Sequence, residues 1–312
     1  MSAGCVSYPA DAASYAEMVQ YASYSLKQAK QQGRNRMVAF SPDILDCQIR
    51  SLELVELLRE SIERQYEGFE VVYQPQIDAA TQRVIGAEAL ARWTCGKYGG
   101  VSPGEFIPLL EQSGLIVPFG KWVFRRAVAQ CREWARLRPD FTVSVNLSYL
   151  QVTSGDIVSF MRDTLEKAGL PPSNVVVEFT ESCMIQENRR IHEIFEGIRG
   201  LGIRIAMDDF GTGYSSRGML KKSPADIVKI DRTFVRDILK SRFDATFIRF
   251  VVALCHDVDI KVCLEGVERE EEFNRVRPMR LDYIQGFLFG RPIAADVFER
   301  DFLPLAGADP AS

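Results

Sequence analysis

From about residue 70 onward, short runs of β-branched residues alternate with longer stretches whose apolar residues recur every three or four positions, and Gly, Pro, Asn and Asp turns separate the two. Few architectures accept that rhythm. Repeated strand–helix–strand units lay helices over a parallel sheet, because right-handed crossovers return every strand in the same direction. The runs predict strands at 71–77, 84–93, 142–147, 175–180, 203–208, 227–230, 260–264 and 283–288. Amphipathic helices are predicted at 121–137, 156–168, 189–200, 245–258 and 270–276. Eight strands over roughly 240 residues match an α/β fold of the TIM-like (β/α)8 type. Only Asp-Ala-Ala-Thr-Gln-Arg lies between Ile77 and Val84, too little for a crossover helix, so the first strand should run antiparallel to the second.

Residues 1–66 stand outside this rhythm. A strand at 5–8, a helix at 13–32 with Gly33 as its C-cap, and a strand at 37–40 are too little to fold alone. Ser41-Pro42-Asp43 opens a second helix to about residue 66, with Ile49, Leu52, Val55, Leu58 and Ile62 along one apolar stripe, which reads as a connector. At 46% hydrophobic and 26% charged residues the chain buries a full core, which excludes a disordered protein. A formal net charge of −4 argues against nucleic acid or an anionic membrane as partner. The seven cysteines form no C-x-x-C pair, as in a reducing compartment, and neither a signal peptide nor a long apolar run is present, so a cytoplasmic location is expected.

In a barrel, chemistry belongs at the C-terminal strand ends. There the chain places Glu88, Asn146, Glu178, Asp208, Asp209, Lys229 and Glu265. Five carboxylates at one mouth repel one another and raise their own pKa values unless positive charge is supplied. Carboxylate and amide oxygens without His or Cys suit Mg²⁺ or Mn²⁺ rather than Zn²⁺. Adjacent Asp208 and Asp209 can both point inward only if the chain turns at the strand end. A single acid after an apolar run is commonly a cap or turn former, but Glu caps helices poorly and the recurrence on successive strands is unlike capping. His192 and His256 fall in helical patterns, as surface or packing residues. Gly211-Thr212-Gly213 lacks the ending of a phosphate-binding P-loop and reads as a mobile loop at the site.

The run Gly86-Ala87-Glu88-Ala89-Leu90-Ala91-Arg92-Trp93 resembles the signature of EAL domains, the cyclic di-GMP phosphodiesterases. Further motifs of that family follow in order: Tyr73-Gln74-Pro75, Val145-Asn146-Leu147-Ser148, Glu178-Phe179-Thr180-Glu181, Asp208-Asp209-Phe210-Gly211-Thr212-Gly213, Lys229-Ile230-Asp231, Glu265-Gly266-Val267-Glu268 and Gln285-Gly286. The resemblance implies hydrolysis of cyclic di-GMP to linear 5′-pGpG with two Mg²⁺ or Mn²⁺ per site. It assigns Glu88, Asn146, Glu178 and Asp208 to one metal, and Asp208, Asp209 and Glu265 to the other. Lys229 and Glu265 would act on the water, Gln74, Leu90, Arg92 and Gln285 on the substrate, and Glu181 and Glu268 as supports. It also implies a homodimer beside the loop 208–216. The rival reading is a degenerate EAL domain that binds cyclic di-GMP without cleaving it. Residues 1–41 resemble the closing part of a GGDEF (diguanylate cyclase) domain without its catalytic half. The expected borders are therefore 1–41 for this remnant, 42–66 for the connector helix and 67–305 for the EAL domain, as a piece of a longer GGDEF–EAL protein.

Overall fold

A computed structural model of the chain describes residues 1–184, 189–212 and 223–303. These form two compact units, 1–67 with 104–113, and 68–103 with the described residues from 114 to 303. In the first unit, β1 (Ala3–Cys5) and β2 (Met37–Ala39) pair in parallel, joined by a helix at Tyr15–Gln31 that Ser14 caps. Gly33 lies one position beyond the C-cap, which is Gln32. The first strand thus falls earlier than expected and ends before Tyr8. The second helix spans Pro42–Glu63, and Arg50 on it forks onto Glu105 through Nε and Nη2 at 2.6 and 3.1 Å.

The expected stripe of that helix needs correction. Ile44, Leu54 and Leu58 are the buried residues, whereas Ile49 and Leu52 are exposed. The spacing of Ile49, Leu52, Val55, Leu58 and Ile62 fits a helix, but periodicity does not say which of two overlapping apolar faces meets a neighbour.

The second unit is a closed barrel. Its strands are β3 (Phe69–Asp78), β4 (Val84–Cys95), β6 (Thr142–Asn146), β7 (Val175–Thr180), β8 (Arg204–Phe210), β9 (Ile227–Ile230), β10 (Lys261–Leu264) and β11 (Tyr283–Ile284). The short β5 (Gly99–Val101) hangs on β4 outside the ring. The sheet order is β3-β11-β10-β9-β8-β7-β6-β4-β5, and the β3–β4 pairing closes it. β3 is antiparallel to both its neighbours, as the short 78–83 connection requires, and the other ring strands are parallel. The last strand ends earlier than expected, at Ile284, although Gln285 N–H still donates to the Leu264 carbonyl at 2.9 Å.

The helices sit where the apolar spacing put them. Ile116–Leu137 buries Phe119, Val123, Phe124, Ala127, Cys131 and Trp134 along one face. Tyr73, on the outer side of β3, meets Trp134 edge-on at 4.8 Å, and Trp134 stacks on Phe298 at 4.7 Å. The helix Ile157–Ala168 starts at Asp156, whose carboxylate accepts from Ser159 N–H at 3.0 Å, and stops at left-handed Gly169. Among the described residues no helix is long and apolar enough to cross a membrane.

Away from the mouth, Asp282 ties β10 to the approach of β11. It accepts from Lys261 Nζ at 2.8 Å, from His256 Nε2 at 2.8 Å and from Val262 N–H at 2.9 Å. Burial pushes its carboxyl up, yet these donors hold it below its ordinary value. A depressed carboxyl adds stability that is present above the unfolded pKa and is lost as pH falls through the folded one. Asp282→Ala is therefore expected to destabilise the protein by about 1–3 kcal/mol at neutral pH. The gap to wild type should close below about pH 4. Denaturant melts at pH 7 and pH 3 check this; a gap that widens in acid would contradict it.

Candidate active site

Alternation along the ring strands sends every second side chain into the barrel and so sorts the interior into layers. Val176, Ala206, Ile227 and Cys263, with Tyr283 packed against them, form an apolar plug on the N-terminal side. Two residues further along the same strands come Glu178, Asp208, Lys229 and Glu265. Registers Gln74↔Glu88 and Asn146↔Glu178 set the remaining polar groups at that level, while Ser144, opposite Val176, lies one layer down. Gly86 makes this possible on β4. A Cβ there would lie 2.4 Å from Thr142 Oγ1 and 2.7 Å from the Thr142 carbonyl, so only glycine lets β6 run this close beside the strand that carries Glu88.

Lys229 occupies the centre. Its fully buried ammonium stands 2.6 Å from Glu178, 2.7 Å from Glu265, 3.2 Å from Glu88 and 3.6 Å from Asp208. Four carboxylates share one cation. Burial works against the ammonium, but these neighbours raise its pKa well above the usual value and keep it charged. Burial also opposes the charge on Glu88, yet Lys229 and donors on Gln285 and Asn146 hold that carboxyl low. Glu178 goes the other way, pushed well up by burial and by Glu88, because its Lys229 contact is shared. Burial raises Asp208 against the pull of Lys229, and raises Glu265 to about 8.

Asp208 and Asp209 are placed by a different device from the expected turn at a strand end. β8 continues to Phe210, with Asp209 at φ 55° and a register shift against β9 between Met207 and Phe210. The bulge re-aims Asp209 and lets its N–H donate to Asp208 Oδ1 at 2.9 Å. Asp tolerates the left-handed region better than most residues. Burial raises the Asp209 carboxyl, and Asp208 and Asp231 add to the effect. Immediately downstream, Gly211 N–H donates to Glu181 Oε2 at 3.0 Å, so Glu181 anchors the start of the loop. Residues 213–216 of that loop lie outside the described residues, as does the far border expected at 305.

A cleft of about 280 Å³ opens over this layer. Gln74, Leu90, Arg92, Gln285 and Glu268 line it together with Glu88, Asp208 and Glu265, so the anticipated substrate-side residues converge. Asn146 reaches the group from the rim, donating to Glu88 Oε1 at 2.6 Å. His192 and His256 take no part in the cleft.

Four residues escaped the sequence reading. Arg232 and Phe287 also line the cleft. A Cβ on Gly266, whose φ is +73°, would lie 2.2 Å from Arg232 Cβ, so that glycine admits the arginine. Gln76 and Ser144 lie buried beneath Gln285 and Glu88. The available signal was two-residue spacing: Gln76 follows Gln74 by two, and Ser144 precedes Asn146 by two.

As the side chains stand, no three His, Cys, Asp or Glu among the described residues are arranged to hold a metal ion, and the cation at their centre is Lys229. The donor chemistry nevertheless fits a hard divalent cation. The groups are carboxylate and amide oxygens, their negative charge exceeds what one ammonium neutralises, and buried Glu178 Oε1 has no hydrogen-bond partner among the described residues.

A closed barrel with an inverted first strand and an acid-lined mouth defines a class of TIM-like enzyme scaffold. Residues 55–292 match the EAL domain family, and the chain belongs to it. It is 36% identical over 296 residues to the bifunctional diguanylate cyclase/cyclic di-GMP phosphodiesterase MucR of Pseudomonas aeruginosa, covering 95% of this chain and 43% of that protein. The cyclic di-GMP phosphodiesterase PdeR of Escherichia coli is 32% identical over 299 residues, covering 96% of this chain and 45% of PdeR. The chain thus spans under half the length of these curated relatives. A solved structure of the MucR phosphodiesterase in complex with c-di-GMP superposes with a TM-score of 0.74 at 37% identity, covering 79% of this chain and 99% of that one.

Proposed function

We propose that this chain hydrolyses one phosphodiester of cyclic di-GMP to give linear 5′-pGpG. The observation that carries the reading is the single cleft in which Glu88, Asp208 and Glu265 face Gln74, Leu90, Arg92 and Gln285. Glu88, Asn146, Glu178 and Asp208 would hold one Mg²⁺ or Mn²⁺, and Asp208, Asp209 and Glu265 a second. Such a pair supplies an activated water and charge neutralisation at phosphorus. The protein's own groups do the rest. Arg92 reaches a non-bridging phosphate oxygen, for which a guanidinium is suited, and Gln74 and Gln285 orient the substrate. The carboxylate of Glu265, at the end of β10 and on the wall of the cleft, accepts the proton of the attacking water. Lys229 supplies fixed positive charge beneath the reacting centre.

The test is incubation of purified protein with cyclic di-GMP and Mg²⁺ or Mn²⁺, with chromatography for pGpG and an EDTA control. Binding of cyclic di-GMP with the ligand recovered intact would replace the enzyme reading by the receptor reading.

The active form is proposed to be a homodimer through the face beside the start of the 208–216 loop. There, helix Arg242–His256 leaves Phe243 and Phe250 at 72% and 59% exposure. Phe247 on the same helix stacks on Phe234 at 4.2 Å, and the Gly211 backbone packs against that pair. Burying two such rings removes apolar surface from water at about 25 cal/mol per Å², a gain that opposes the entropy cost of association. The double variant Phe243→Asp, Phe250→Asp is expected to be monomeric in light scattering across a concentration series. An unchanged mass would place the interface elsewhere. The β1–helix–β2 unit is read as the closing part of a GGDEF domain, supported by its strand–helix–strand order and by the cyclase named in MucR.

A further inference from the structure

We propose that Gln76 and Ser144 are positioning residues that lock the Gln285 carboxamide in the one orientation that serves Glu88. The inference deepens the reading above, resting on it only for the role of Glu88. Gln285 donates from Nε2 to Glu88 Oε2 at 2.6 Å and to Gln74 Oε1 at 3.2 Å. A carboxamide that turns its NH₂ to one side turns its oxygen to the other. On that other side Gln76 Nε2 donates to Gln285 Oε1 at 3.2 Å. The Ser144 hydroxyl, 3.2 Å from Gln76 Nε2 and 3.3 Å from its Oε1, fixes where that carboxamide sits, and the Gln285 oxygen, which can only accept, decides which way round it faces.

The opposite end of the chain is anchored as well. Gln74 Nε2 donates to the Gly290 carbonyl at 3.2 Å, and a carbonyl can only accept. The orientation of Gln74 therefore demands a donor from Gln285, and the orientation of Gln285 demands a donor from Gln76. A reversed Gln285 would face Glu88 oxygen to oxygen, an unpaired and repulsive contact in a buried layer. None of these four side chains is more than 8% exposed, so bulk water does not replace a missing donor. The relay joins β3, β6 and the end of β11 under the carboxylates, and Gln76 and Ser144, which do not line the cleft, act on Glu88 only through Gln285.

The test uses Gln76→Met, which keeps length and removes the donor, and Ser144→Ala. The Gln285 side-chain amide pair is identified in ¹⁵N spectra by its disappearance in Gln285→Ala. In Gln76→Met that pair is expected to shift and to exchange faster with solvent. Mn²⁺ affinity, measured by titration, and turnover of cyclic di-GMP should each fall about tenfold, the usual loss for a group that orients a metal ligand. In the Gln285→Ala background the same substitution should cost less than about twofold, because residues acting through one another are not additive. An unmoved Gln285 pair in Gln76→Met, or an equal loss with and without Gln285, would reduce Gln76 to a packing residue and overturn the proposal. Should Gln76→Met fail to fold, Ser144→Ala carries the same measurements. If cyclic di-GMP proves not to be the substrate, the amide resonances still decide, so the two failures are distinguishable.

Discussion

Glu88→Ala is expected to lower turnover of cyclic di-GMP on the order of 10³-fold or more, the scale on which catalytic charge is lost when a principal electrostatic group is removed. Among the described carboxylates of the site, Glu88 accepts from the most donors: Asn146 at its Oε1, and Gln285 and Lys229 at its Oε2. Alanine removes a ligand proposed for the first metal and strands three donors at once. Each buried donor left unmade costs about 1–3 kcal/mol, but Asn146 sits at the exposed rim and can turn to water, and Lys229 keeps three other carboxylates. The fold should therefore survive with a lower melting temperature. Turnover assayed at saturating Mn²⁺, beside circular dichroism and a thermal melt, separates the two effects. Near wild-type turnover in a folded Glu88→Ala protein would remove Glu88 from the site.

Lys229→Ala should act on two quantities that are measured separately. Turnover is expected to fall about 10²- to 10³-fold with substrate affinity little changed, since the ammonium lies beneath the cleft among carboxylates rather than on its substrate-facing wall. Metal-free stability should also drop, because Glu88, Glu178, Asp208 and Glu265 lose their common counter-charge. Breaking a buried ion pair from one side costs about 3–5 kcal/mol, and partial protonation of the raised carboxyls offsets some of that. Added Mg²⁺ should then recover more melting temperature in the variant than in wild type. A large loss of affinity at unchanged kcat would make Lys229 a binding residue. A variant as stable as wild type without metal would show that the ammonium is not the counter-ion the carboxylates depend on.

The ring strands were legible because their information is local. A short β-branched run between turn residues marks a strand, and the short 78–83 link excludes a crossover, so the inverted β3 followed before any contact was known. The acids were legible for a related reason: charge at the end of an apolar run is conspicuous whatever the strand's neighbours are. Wherever two local solutions existed, sequence was silent. Ile49 and Leu52 share a helical stripe with Leu58, yet only tertiary packing decided that Leu58 is buried and they are exposed. Asp208 and Asp209 demanded some departure from the pleat, and the choice between ending the strand and bulging within it came from the register β9 imposes.

By itself the sequence determined the alternation of elements, the number of ring strands and the acidic character of the mouth, all properties of neighbours in the chain. Barrel closure decided the rest. It brings Gln285 to Gln74 across 211 positions and sets Lys229 among carboxylates drawn from β4, β7, β8 and the end of β10. It also buries Gln76 and Ser144 under them. A lone Gln or Ser in a strand carries no mark of importance, because its hydrogen-bond partners are chosen by the strand on the far side of the ring, and that pairing exists only once the sheet has closed.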